Sequence, residues 1–90
     1  MELIKEGDSI LLDSGTTTFQ LAQQLKSFNR LMVATNSLII AQELHGTPGI
    51  DVLVTGGTFR RETQALVGPI AEQALDKIRV DKFYSHKWVG

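Results

Sequence analysis

The run Asp13-Ser14-Gly15-Thr16-Thr17-Thr18 has the residue types and the setting to hold an anion. It follows the apolar run Ile10-Leu11-Leu12 and opens an amphipathic stretch, so it reads as a strand-to-helix turn rich in small hydroxylated residues. A helix start leaves its first backbone N–H groups unbonded and carries partial positive charge, which favours an anion by roughly 0.3–1 kcal/mol from the dipole alone. The hydroxyls of Thr16, Thr17 and Thr18 would add donors, and Gly15 permits close backbone approach and positive φ. The structural alternative is that Ser14 or Thr16 caps the helix while Asp13 accepts from neighbouring backbone donors. The run is not a Walker loop, because the Gly-Lys-Ser/Thr ending is missing, nor a dinucleotide fingerprint, whose glycine spacing differs.

Two further turns carry similar chemistry. Thr35-Asn36-Ser37 ends the apolar run that starts at Leu31. The Asn36 amide offers donors and an acceptor for a sugar hydroxyl, or for bridging to the first turn, and simple turn formation stays open beside that. Ser37 suits the N-cap of the next helix. The third turn, Thr55 to Arg61, contains Gly56-Gly57 and the pair Arg60-Arg61, either of which could bind a phosphate in a charge-assisted, bidentate way. Its alternatives are a solvated basic pair and a tight glycine turn.

Other chemistries find little support. With no cysteine in the chain, disulfides, thiolate metal sites and cysteine nucleophiles are excluded. His45 and His86 have no neighbouring ligand set, so no metal is expected. Asp8, Asp13, Asp51, Asp76 and Asp81 form no recognisable acid/base spacing and Ser14 has no evident histidine partner, so no catalytic residue and no cofactor are assigned. The formal net charge of −1 is spread along the chain, which argues against direct DNA binding. No apolar run approaches the roughly 20 residues of a membrane helix and the start is not a signal-peptide pattern, so a cytoplasmic protein without membrane partners is expected.

These turns need elements to hold them in register. Ser9–Leu12, Leu31–Thr35, Ile50–Thr55 and Lys82–Trp88 read as strands. Helical spacing falls in Thr18–Ser27, in the segment through Leu38, Ile39, Ala41, Gln42 and Leu44, and in one opened by Pro69 that runs to Ile78. Gly46-Thr47-Pro48-Gly49 breaks the second helix, and Thr58–Thr63 reads as a polar loop. Apolar strands separated by helices indicate parallel pairing in an α/β fold with both sheet faces covered, and ligands gather at the carboxyl ends of such strands. With 90 residues, 42% of them hydrophobic, one domain is expected. Phe83, Tyr84 and Trp88 read as core or interface aromatics.

Taken in order, the three turns resemble the C-terminal effector-sensing domain of DeoR-type bacterial transcriptional regulators. The matching pieces are Gly7-Asp8, Asp13-Ser14-Gly15-Thr16-Thr17, Val33-Ala34-Thr35-Asn36-Ser37, Thr55-Gly56-Gly57, Ala65-Leu66-Val67-Gly68-Pro69 and Asp81-Lys82, spanning Ile4 to Phe83. The resemblance implies a three-layer α/β/α fold with a mainly parallel sheet, related to ribose-phosphate isomerase and glucosamine-phosphate deaminase. It implies a regulatory, non-enzymatic role as a sensor of a phosphorylated sugar or a related phosphate or sulfate anion. By the same resemblance Ser14, Gly15, Thr16 and Thr17 surround the phosphate, Asp13 and Asn36 lie near the sugar with Ser37 beside them, and Gly56, Gly57 and Arg60 line the facing loop.

The family's regulators carry an N-terminal helix-turn-helix domain and a longer sensing domain. Residues 1–90 therefore correspond to a partial sensing domain, with the DNA-binding domain and the later part of the sensor lying outside them. A sheet cut after its fourth strand exposes an edge and apolar faces, which predicts self-association as a dimer or larger homo-oligomer. Two other functions compete with the sensor fragment. One is a small sugar-phosphate isomerase-like enzyme, because the fold's relatives include catalysts, and the other is a remnant that only oligomerises.

Overall fold

A computed structural model of the protein describes residues 4–62 and 64–84. The first strand, β1 (Ser9–Leu12), leads through α1 (Thr16–Leu25) into β2 (Leu31–Thr35), and α2 (Leu38–Leu44) leads into β3 (Ile50–Val54). A short hairpin follows, β4 (Thr58–Arg60) with β5 (Ala65–Val67), then α3 (Pro69–Lys77) and β6 (Lys82–Tyr84). β3, β2, β1 and β6 form a four-stranded sheet in that order, parallel at every pairing.

Alternation along the strands sorts side chains between two faces. Ile10, Leu12, Leu31, Val33 and Ile50 point to one face, where Ala22 and Leu25 of α1 and Ile40 and Leu44 of α2 complete the main core. Burial of Thr18, Ala22 and Leu25 marks the inner stripe of α1 at spacings of four and three. Fully burying a leucine or isoleucine is worth about 1.5–3 kcal/mol, so this layer holds the two crossovers against the sheet.

The opposite face carries the row Leu53, Ala34, Leu11 and Phe83, aligned across the four strands by register. The order in which strands are added reverses here: β1 to β3 step outward along the sheet and β6 returns beside β1. By the right-handed rule for crossovers between parallel strands α3 belongs on this second face, which makes three layers, and α3 packs against β5. Leu11 and Ala34 in the middle of the row are buried, while Leu53 and Phe83 at its ends are 42% and 51% exposed.

The structure differs from expectation in two places, and one expected strand is described only in part. α1 begins at Thr16 rather than Thr18, because Gly15 at φ 146° and ψ 164° holds the N-cap position and lets the helix start at once. The polar loop from Thr58 instead contributes β4, which pairs antiparallel with β5. Three-residue strands are too short to show a period, so their pairing is invisible until the chain folds back. β6 is described only as Lys82–Tyr84, and the rest of that strand expectation, with His86 and Trp88, lies outside the described residues.

The amino ends of β1 and β6 are tied by side chains. The Asp81 carboxylate accepts from the Ser9 N–H at 2.8 Å and the Ser9 hydroxyl at 3.1 Å, and the Asp81 N–H donates to the Ser9 carbonyl at 2.8 Å. The Ser9 backbone bond, with help from its hydroxyl and from Lys82, holds the Asp81 carboxyl below its usual 3.8. A carboxyl whose pKa is lower in the folded state contributes stability that is present above 3.8 and lost as pH falls through the lowered value. Asp81→Asn is thus expected to lower the melting temperature at neutral pH and to match the parent protein once the solution is acidic enough to protonate Asp81, a convergence that thermal melts across a pH series would reveal.

Candidate functional site

The carboxyl ends of β1 and β2 open on a cleft of about 500 Å³. Gly15, Thr16 and Phe19 line it from α1, Ser37 and Ile39 from the start of α2, and Glu62 and Gln64 from the tip of the β4–β5 hairpin. Its size falls in the range of small-molecule sites, about 300–1,000 Å³.

Each wall has a local cause. α1 starts on Gly15, which has no side chain to cap the helix, and no acidic residue lies in its first turn. The dipole and the first-turn N–H groups therefore keep their capacity for an anion at the point where Gly15 and Thr16 face the cleft. α2 starts differently: the Ser37 hydroxyl accepts from the Ile40 N–H at 3.2 Å, and a cap of this kind is worth about 1 kcal/mol. The hairpin is fastened to this second turn, since the Leu66 N–H donates to the Asn36 carbonyl at 2.7 Å and Ala65 bridges Ser37. That fastening suspends residues 62 and 64 over the starts of both helices.

The structure gathers only part of the residue set read from sequence. Gly15, Thr16 and Ser37 line the cleft together. Asp13 and Ser14 lie in the turn just before it, with the Asp13 carboxylate accepting from the Ser14 N–H at 2.8 Å, and neither is part of the lining. Thr17 is exposed on the first turn of α1, outside the lining. The Thr18 hydroxyl, read from sequence as a donor to an anion, is fully buried and donates at 3.0 Å to the Gly15 carbonyl.

Asn36 is buried, and its side-chain oxygen has no hydrogen-bond partner among the described residues. Leaving such an acceptor unbonded costs about 1–3 kcal/mol, and here it lies one residue from the cleft wall. Gly56 and Gly57 do not line the cleft. They carry the exit of β3 beneath α3: a β-carbon on Gly57 would stand 2.8 Å from the Val67 carbonyl oxygen and 3.0 Å from the Ala71 β-carbon. Arg60 is on β4, its side chain 63% exposed, with Nε 4.0 Å from the Glu62 carboxylate.

Phe19, Ile39, Glu62 and Gln64 were not singled out from sequence as site residues. Phe19 and Ile39 sit in helical patterns that read as packing, and Glu62 and Gln64 reach the cleft only because of a hairpin whose strands are too short to recognise. Glu62 is the one ionisable side chain in the lining described. Among the described residues no three His, Asp or Glu side chains converge as a metal site would require, and no helix is long and apolar enough to cross a membrane.

Comparison with known proteins gives this arrangement a context. The chain is 37% identical over 84 residues to the "Putative aga operon transcriptional repressor" of Escherichia coli O157:H7, covering 93% of this chain and 31% of that protein. It is 40% identical over 84 residues to the "Lactose phosphotransferase system repressor" of Lactococcus lactis subsp. lactis, covering 91% of this chain and 33% of the relative. A third relative, the "HTH-type transcriptional repressor CsqR" of Escherichia coli (strain K12), is 35% identical over 80 residues, covering 89% and 31% respectively. The chain thus spans about a third of the length of the curated relatives it matches. The family described as the DeoR C terminal sensor domain matches residues 1–86, and to that family this chain belongs.

Proposed function

We propose that this chain is the phosphate-holding part of an effector sensor, which binds a phosphorylated sugar in the cytoplasm and alters DNA binding by a helix-turn-helix domain of the same regulator. The observation that carries this reading is the uncapped start of α1 opening on a cleft with room for more than an anion. Backbone N–H groups and the Thr16 hydroxyl suit the phosphate, and the buried Asn36 oxygen supplies an acceptor close by for a ligand hydroxyl. The names of the relatives, which are repressors and regulators, point to regulation.

Sensing requires that the ligand bind one of two conformations more tightly, since equal affinity for both shifts nothing. The hairpin fastened to the second turn is the element a ligand at α1 would draw inward. Titration calorimetry with ribose 5-phosphate, glucosamine 6-phosphate and inorganic phosphate tests the reading. Saturable binding of a sugar phosphate is expected, and silence with all three probes overturns the site.

The reading includes self-association. Met32, Leu53 and Phe83, 40%, 42% and 51% exposed, lie on the second sheet face, and β3 and β6 are edge strands. Sedimentation at micromolar concentration is expected to show a dimer or larger species, and a monodisperse monomer refutes this part.

A further inference from the structure

We propose that the hairpin tip, through Glu62 and Gln64, selects the donor-bearing end of the effector, the end opposite its phosphate. The inference rests on the sugar-phosphate reading above and adds to it a residue-level division of labour. The two sides of the cleft differ in kind. The α1 side presents donors and the positive end of a helix, whereas the hairpin side presents a carboxylate and an amide.

A bare anion gains at the first wall and is repelled by Glu62 at the second. A ligand with an anion at one end and hydroxyl or ammonium donors at the other satisfies both. The volume of about 500 Å³ leaves room for a ring beside the anion. Phe19 and Ile39 offer apolar surface to the C–H faces of that ring.

The backbone of the tip fits this role. Gln64 has φ 54°, the one non-glycine residue with positive φ among those described, and its N–H donates to the Arg60 carbonyl at 2.7 Å. A side chain in that region is strained, yet glycine, which would relieve it, would remove the amide from the cleft. Arg60, with Nε 4.0 Å from the Glu62 carboxylate, tempers the repulsion without entering the lining.

The test compares the parent chain with Glu62→Ala and Glu62→Gln against ribose 5-phosphate, glucosamine 6-phosphate and inorganic phosphate. The Glu62 side chain is 80% exposed, so both variants are expected to melt with the parent protein. Glu62→Ala is expected to weaken the better sugar phosphate about tenfold, as loss of a charge-assisted bond does. Its affinity for inorganic phosphate is expected to rise by about twofold, because a like charge has gone. Glu62→Gln, which keeps an acceptor, is expected to fall between.

Opposite signs for the two kinds of probe support the hairpin assignment. Parallel losses for sugar phosphate and inorganic phosphate, or no change with either, overturn it while leaving the anion site standing. Failure of the parent chain to bind any probe removes the site reading and this inference together.

Discussion

Gly49→Ala is expected to destabilise the fold by about 3–5 kcal/mol, a severe loss for a chain whose total stability is roughly 5–13 kcal/mol. Gly49 precedes β3 with φ 85°, and an added β-carbon would lie 1.8 Å from the Asn29 carbonyl oxygen and 2.7 Å from the Asn29 carbonyl carbon. Neither atom can retreat cheaply. The Asn29 and Arg30 N–H groups are held by the Glu6 carboxylate at 2.8–3.1 Å, and the Arg30 carbonyl accepts from the Gly7 N–H at 2.7 Å. The variant must therefore push β3 away from β2, along with the Leu31 N–H bond to the Gly49 carbonyl at 3.0 Å.

Gly46→Ala provides the control for this result. Gly46 has φ 80° but no atom within 4 Å of an added β-carbon, so only backbone strain of about 1–2 kcal/mol is expected there. Thermal melts should separate the two by roughly 4–8 °C for each kcal/mol of difference. Equal losses at both positions would mean that positive φ alone accounts for Gly49 and that the Asn29 contact is relieved by a small shift.

How much of this was readable in the sequence follows from the length of each signal. β1, β2 and the start of α2 were legible because three or four apolar residues end in a polar turn, and Ser37 caps the helix it was expected to cap. α3 was legible through Pro69 at its first turn. The family resemblance was legible because its pieces recur in order along the whole chain, and the match over residues 1–86 agrees with it.

The hairpin was not legible, and the site suffered accordingly. Thr58-Phe59-Arg60 and Ala65-Leu66-Val67 are each three residues long, so nothing in their pattern says that they pair. Without that pairing, Glu62 and Gln64 look like solvated loop residues and Arg60 looks like the natural phosphate ligand. The register Arg60 to Ala65 leaves Arg60 on the strand and brings Glu62 and Gln64 to the cleft. At Gly57 the reason for glycine was equally hidden, since an added β-carbon would meet the Val67 carbonyl of β5 and Ala71 of α3, elements that come later in the sequence.

Gly15→Val is expected to reduce sugar-phosphate and inorganic-phosphate binding by at least about a hundredfold, beyond the reach of any single neutral hydrogen bond. At φ 146° and ψ 164° Gly15 occupies backbone space that is essentially glycine-only, at a cost of about 1–3 kcal/mol for another residue. Valine would turn that backbone, misalign the first N–H groups of α1 and place a branched side chain where an anion should sit. Loss of stability alone could imitate loss of binding, and Gly68 separates the two. It is the N-cap of α3 with φ 97° and ψ −175°, and an added β-carbon there meets only the Thr58 hydroxyl at 4.0 Å. Gly68→Val is expected to lower the melting temperature comparably while binding persists below that temperature. If Gly15→Val binds as the parent chain does, the start of α1 is not where the anion rests.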